Sequence, residues 1–208
     1  VEICRKNTKY LLKKAHPLME IYREEKHAAL FDFLEKDSHE EGLRRRILAA
    51  PPLFVIPQEV LKQILAENGI SRQEACGILK AHAREQKRIE SILTRSPVMD
   101  ELSQITREEY ERYPAALPMA ECFLEKDILL TYQEYRICVE AAMAYADAHK
   151  NYQFSLTKAK GFHNIQITCR MEKWCMVSKN KAPSIHFVIH HPKLRYALEN
   201  MILPIRDS

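Results

Sequence analysis

Glycine is scarce in this chain, with four in 208 residues. Active-site loops and close backbone approach to a substrate draw on glycine's conformational freedom. Neither a Gly-rich phosphate loop nor a G-x-S-x-G elbow is present. Long apolar runs are missing too: none approaches the ~20 residues needed to span a bilayer, and no signal-type apolar segment opens the chain. No membrane partner is therefore expected. Charge of one sign is also lacking. The 32 Lys and Arg against 28 Asp and Glu leave a formal net charge of +4, which excludes a global polycation drawn to nucleic acid or anionic lipid. The local basic runs, Arg5, Lys6, Lys9, Lys13 and Lys14, then Arg44, Arg45 and Arg46, read as solvated helix faces.

The six cysteines, at positions 4, 76, 122, 138, 169 and 175, form no C-x-x-C. Most lie inside apolar patterns, where a free thiol behaves as a small hydrophobe. Reduced thiols and a cytoplasmic protein are expected in place of a disulfide framework. Nine histidines raise a metal hypothesis, centred on His186, His190 and His191 with Cys169 and Cys175. In a strand His186 and His190 share a face, which suits ligands or a solvated polar face equally, and no H-E-x-x-H or paired C-x-x-C supports the first, so neither metal nor cofactor is expected. The acid pairs Glu24-Glu25 and Glu40-Glu41 are adjacent on expected helices and point apart, so they make no general acid/base couple. No enzyme is expected, and a small-molecule enzyme of unfamiliar type stays as an alternative.

What the chain does have is periodicity. Val1, Cys4, Thr8, Leu11, Ala15, Leu18 and Tyr22 recur at helical spacing, with Pro17 as a kink or restart. Ala28 to Leu34 continues helical, and a short helix is expected over Glu40 to Ala49, ending at Pro51-Pro52. The apolar, proline-punctuated stretch Pro51 to Pro57 reads as an ordered connector on the surface. A helical pair follows: Gln58 to Glu67, the stop signal Asn68-Gly69, then a helix from Ser71 to about Arg95 with polar His82 and Gln86 in its seam. Ser71-Arg72-Gln73-Glu74, Thr106-Arg107-Glu108-Glu109 and Thr131-Tyr132-Gln133-Glu134 are capping boxes, the last with a staple between Leu130 and Tyr135. From Tyr152 the period changes to 2, predicting four short strands around Tyr152–Leu156, Ile165–Ile167, Trp174–Met176 and Ile185–Ile189, with a turn at Met171-Glu172. A last helix starts at Pro192. The fold class expected is α+β: a helical part over 1–127, for scaffold and dimerisation, then an α-β-β-β-β-α unit with a small antiparallel sheet over 128–208. The tyrosines Tyr135, Tyr145 and Tyr152 with Phe154 read as core, or as the wall of a small-molecule pocket.

The pair around Gly69 could be a helix-turn-helix, with Arg72, Gln73 and Lys80 toward bases or phosphates. Its second helix is about twice the length of a recognition helix, so a plain αα-hairpin explains the same residues.

Three stretches carry a resemblance: the hairpin Gln58 to Leu93, the run LTYQEYRICVEAAMAYADAHKNYQF from Leu130, and the ending APSIHFVIHHPKLRYALENMI from Ala182. Together they resemble the C-terminal region of a group of Firmicutes transcriptional regulators whose N-terminus is a phage-repressor (Xre) type helix-turn-helix. The resemblance implies an effector-sensing and dimerisation region, with DNA reached through a domain preceding Val1. The start without Met agrees with that expectation, and the pair around Gly69 is then structural. It further implies a homodimer that takes a small-molecule or peptide effector. Residues expected to hold an anionic effector are Arg170, Lys179, His186 and His190, taken to share the polar face of the sheet. Direct DNA binding by this chain through Arg72, Gln73 and Lys80 is the alternative.

Overall fold

The computed structural model describes residues 29–30, 32–117, 127–158, 164–179, 181 and 185–202. The helix expected over Val1 to Tyr22 lies outside the described residues. Two compact units divide the chain, Val1–Asp37 and Ser38–Ser208. In the first, residues 29–30 and 32–37 are helical, overlapping the helix expected over Ala28 to Leu34 and running past its end.

The second unit is built on a six-stranded mixed sheet of order β3-β2-β1-β4-β5-β6. Its strands are β1 (Arg44–Leu48), β2 (Val98–Ser103), β3 (Tyr152–Thr157), β4 (Ile165–Arg170), β5 (Trp174–Lys179) and β6 (Ile185–Ile189). β1, β2 and β3 are parallel neighbours, whereas β4, β5 and β6 add to β1 antiparallel. The helices are α1 (Gln58–Glu67), α2 (Arg72–Leu93), α3 (Arg107–Arg112), α4 (Tyr132–Ala148) and α5 (Pro192–Ile202). The α+β class is as expected, and so are the four strands read from alternation. The sheet is larger than expected and is mixed instead of antiparallel, because β1 and β2 join it from the first half of the chain.

Two expectations are corrected here. The short helix over Glu40 to Ala49 is strand β1. Consecutive Ile47 and Leu48 enter different apolar clusters, and a strand sends successive side chains to opposite faces where a helix cannot. The connector Pro51 to Pro57 is not a surface segment: Pro51 through Ile56 are buried, with a 3₁₀ turn at Leu53–Val55. Its prolines and short turn leave carbonyls that no regular ladder satisfies. The seam residues of α2 supply the partners: His82 Nε2 donates to the Ile56 carbonyl at 2.9 Å and Gln86 Nε2 to that of Phe54 at 3.1 Å. Polar side chains on a buried helix face are thereby explained.

All three capping boxes form, at Ser71/Glu74, Thr106/Glu109 and Thr131/Glu134. Each satisfies two of the amides that a helix start leaves open. Gly69, at φ 63°, closes α1. The β1–β2 and β2–β3 crossovers step the same way along the sheet, and same-handed crossovers lay their helices on one face. Accordingly Ile89 and Ile92 of α2, Ala142 of α4 and Phe54 pack with Val98 and Tyr152. Helix α5 covers the other face, where Leu198 and Ile202 meet Ile47, Ile167, Cys169 and Cys175. These are called the crossover face and the α5 face below. No described helix is long and apolar enough to cross a membrane.

Candidate functional site

The unusual chemistry lies in the middle of the sheet, where charged residues occupy β1 and β2. Strand alternation puts Arg46 and its register partner Asp100 on the crossover face. Arg46 meets the carboxylate as a fork, Nε to Oδ1 at 2.6 Å and Nη2 to Oδ2 at 2.5 Å, and Tyr152 donates its hydroxyl to Oδ2 at 2.7 Å. The guanidinium lies over the Phe54 ring, 5.6 Å from its centroid, a cation–π placement. Tyr145 and Tyr152 surround that ring edge-on. Burial alone would pull the Arg46 guanidinium down, but the Asp100 charge and hydrogen bonds outweigh it and hold it above its ordinary value. Burial and then the Asp100 charge push the Tyr152 phenol up. Both partners of the carboxylate therefore keep their protons, and the group acts as a clamp between β1, β2 and β3. On α2, Glu85 is paired with Arg88 through two hydrogen bonds of 2.6 and 2.7 Å. Burial would raise its carboxyl, yet the Arg88 charge and hydrogen bonds, with Arg46 beyond, hold it low.

The α5 face differs. Register sets Met99, Arg45, Cys169, Cys175 and Ile189 in one row across five strands. Arg45 is 9% exposed, and its buried Nε and Nη1 have no hydrogen-bond partner among the described residues. Beside it, Cys169 and Cys175 form a disulfide across the β4–β5 hairpin, with Cα atoms 4.1 Å apart. The expectation of reduced thiols throughout is thus corrected. The hairpin turn centred on Glu172 brings these two cysteines, three residues to either side of it, into register, a spacing that C-x-x-C does not describe. Glu172 sits at φ 66°, and its backbone amide donates to Glu199 Oε1 of α5 at 2.7 Å. Glu199 also holds Arg195 at 3.3 Å. Cys175 Sγ is 3.8 Å from the Arg195 carbonyl oxygen.

The four residues expected to share a polar sheet face do not gather. Arg170 is buried on the crossover face, between Arg44 of β1 and Trp174 of β5, and lies 3.8 Å from Glu40. His186 is on that face too, at the far end of its strand, with Nδ1 2.9 Å from Ser178 Oγ. Lys179 points to the α5 face by alternation, and His190 follows the end of β6. Among the described residues no group of three or more His, Cys, Asp or Glu is placed to hold a metal ion. Arg72, Gln73 and Lys80 are exposed on α2, with Gln73 and Lys80 seven apart on one side of the helix. Arg45, Arg46 and Asp100 were not anticipated as a site. The triple arginine beside Ile47-Leu48 was the available signal, and it reads equally as a solvated helix end.

No protein-family model matches the chain, nor does any curated protein or solved structure.

Proposed function

We propose that this chain is the effector-sensing and dimerisation region of a bacterial cytoplasmic transcriptional regulator, acting without catalysis and reaching DNA through a separate domain. The observation that supports it is a set of exposed apolar side chains at and near a sheet edge that no described strand covers. β6 ends the strand order, and Phe187 and Ile185 on its α5 face are 63% and 37% exposed. Leu194 and Tyr196 of α5 are 58% and 64% exposed. Exposed apolar side chains suit an interface, and an edge strand that no described strand covers offers its backbone groups for pairing. A second copy fits it. A two-fold axis normal to the sheet pairs β6 with itself antiparallel, sets Phe187 against its counterpart, and brings Ile185 opposite Ile189. Both α5 faces then stay on one side, and the contact is isologous, the same patch serving both copies.

Sedimentation analysis of the wild type and Phe187→Lys tests this reading. A dimer that the variant converts to monomer is the expected result. A wild-type monomer at micromolar concentration, or a dimer indifferent to Phe187→Lys, would overturn it.

Direct DNA binding remains the second reading, favoured by the exposure of Arg72, Gln73 and Lys80 on one helix. Salt-sensitive binding of random duplex, lost in Lys80→Ala, would support it over the first.

A further inference from the structure

We propose that Cys169 and Cys175 form a thiol–disulfide exchange site on the sheet, whose reduced form is received by Arg45 on one side and by the Arg195 carbonyl on the other. The inference stands on the chemistry of this row of residues and does not depend on the regulatory reading.

Buried guanidinium nitrogens without a hydrogen-bond partner are a costly arrangement, and such groups normally carry one. With the disulfide formed, Nε and Nη1 of Arg45 have none among the described residues. Its register partner across the β1–β4 ladder is Cys169. Reduction would place a thiolate there, and a neighbouring cation favours the thiolate over the thiol. The second sulfur has its own complement. Cys175 Sγ faces the Arg195 carbonyl oxygen at 3.8 Å, an arrangement that becomes a hydrogen bond only when sulfur carries a proton. Each half of the dithiol thus meets the partner its own protonation state needs, a cation for Cys169 and an acceptor for Cys175. The disulfide uses neither.

The exchange balances as two successive displacements by a small thiol, R–SH. Its thiolate attacks Cys175 Sγ, the S–S bond breaks, and Cys169 leaves as the thiolate beside Arg45. A second thiolate attacks the R sulfur of the mixed disulfide and releases Cys175, which takes up a proton. Two R–SH become R–S–S–R and the protein gains two electrons; of the two thiol protons, one ends on Cys175 and the other is released to solvent while Cys169 keeps its negative charge. Both sulfurs are fully buried beneath α5, packed with Leu198 and Ile202. Exchange therefore proceeds through displacement of that helix. Other charges on this face are Glu101 of β2 and Lys179 of β5, and α5 brings Arg195 and Glu199, which are paired with each other.

The experiment equilibrates the full chain in mixtures of reduced and oxidised glutathione, quenches with acid, and alkylates after unfolding. Peptide masses then report each cysteine. Cys169 and Cys175 should become alkylated together as the buffer grows more reducing. Alkylation of both in protein never exposed to reductant would overturn the proposal. In reduced protein, alkylation against pH should place the Cys169 midpoint below that of Cys175. Arg45→Gln should raise the Cys169 midpoint by about one pH unit, a roughly tenfold slower reaction at neutral pH, while Arg45→Lys restores it. An unchanged midpoint in Arg45→Gln would overturn the role of Arg45. Should that variant fail to fold, equal or reversed wild-type midpoints for the two cysteines would do the same.

Discussion

Arg46 and Asp100 face one another across the parallel strands β1 and β2, joined by two hydrogen bonds, and Tyr152 of β3 closes on the same carboxylate. Removing one member is expected to hurt more than replacing both. Asp100→Ala leaves a buried guanidinium unpaired and should cost about 3–5 kcal/mol in urea unfolding. The double variant Arg46→Met/Asp100→Leu should recover much of that loss, because packed apolar residues carry no desolvation penalty. Tyr152→Phe, which removes one hydrogen bond, should cost about 1–3 kcal/mol. An Asp100→Ala protein as stable as wild type would contradict the clamp.

Acid should weaken the protein through His82. Burial lowers its pKa from the usual 6.5, with the hydrogen bond to the Ile56 carbonyl acting the other way. The unfolded chain then takes up a proton before the folded one does. The contribution of neutral His82 is fully present above about pH 6.5 and lost as pH falls through its lowered folded value. Unfolding midpoints measured between pH 8 and pH 5 should decline over the lower part of about that range. His82→Gln keeps a donor for Ile56 and does not titrate, so it should flatten the decline. Glu85 adds a separate loss at lower pH, below the ordinary carboxylate value, because its folded pKa is also depressed.

Helix α4 depends on its first turn. The Glu134 amide donates to Thr131 Oγ1 at 3.2 Å and the Thr131 amide to Glu134 Oε2 at 2.6 Å. Thr131→Ala should destabilise the protein by about 1 kcal/mol and Thr131→Gly by only a few tenths. Equal losses in the two variants would show that the hydroxyl is not what caps the helix.

The two free thiols among the described residues should differ sharply in reactivity. Cys76 is exposed, whereas Cys138 is buried, and burial followed by the Glu134 charge pushes its thiol up to about 12. Native alkylation at pH 8 should modify Cys76 quickly and Cys138 only as the protein unfolds. Fast modification of Cys138 in the native state would mean that α4 opens locally.

Helix starts were the most legible feature of the sequence, because a capping box is a local signal: Ser71, Thr106 and Thr131 cap their helices as their spacing predicts. Strands β3 to β6 were legible from alternation. β1 and β2 were not. Each is interior to the sheet and largely buried on both faces, so polarity does not alternate, and their arginines, aspartate and glutamate argue for a surface. The candidate site was still less legible. Arg46 matters because of Asp100, and Arg45 because of Cys169, and both pairings are register facts that no short window contains. The expected grouping of Arg170, Lys179, His186 and His190 failed on the same ground, since strand parity separates Lys179 from Arg170 and His186.

The position of β1 also bears on synthesis at the ribosome. This strand emerges before both of its neighbours, and its second neighbour, β4, is made only after β2 and β3. Through that interval one flank of a central strand is open in the nascent chain, and such flanks recruit other chains into aggregates. The arginines of β1 would act against this. Two nascent copies meeting along this flank would set arginine against arginine and repel. Only the finished hairpin, with Arg170 beside Arg44 and Cys169 beside Arg45, completes the sheet on that side. The same three charges that obscure the strand in the sequence would protect it while the chain is incomplete.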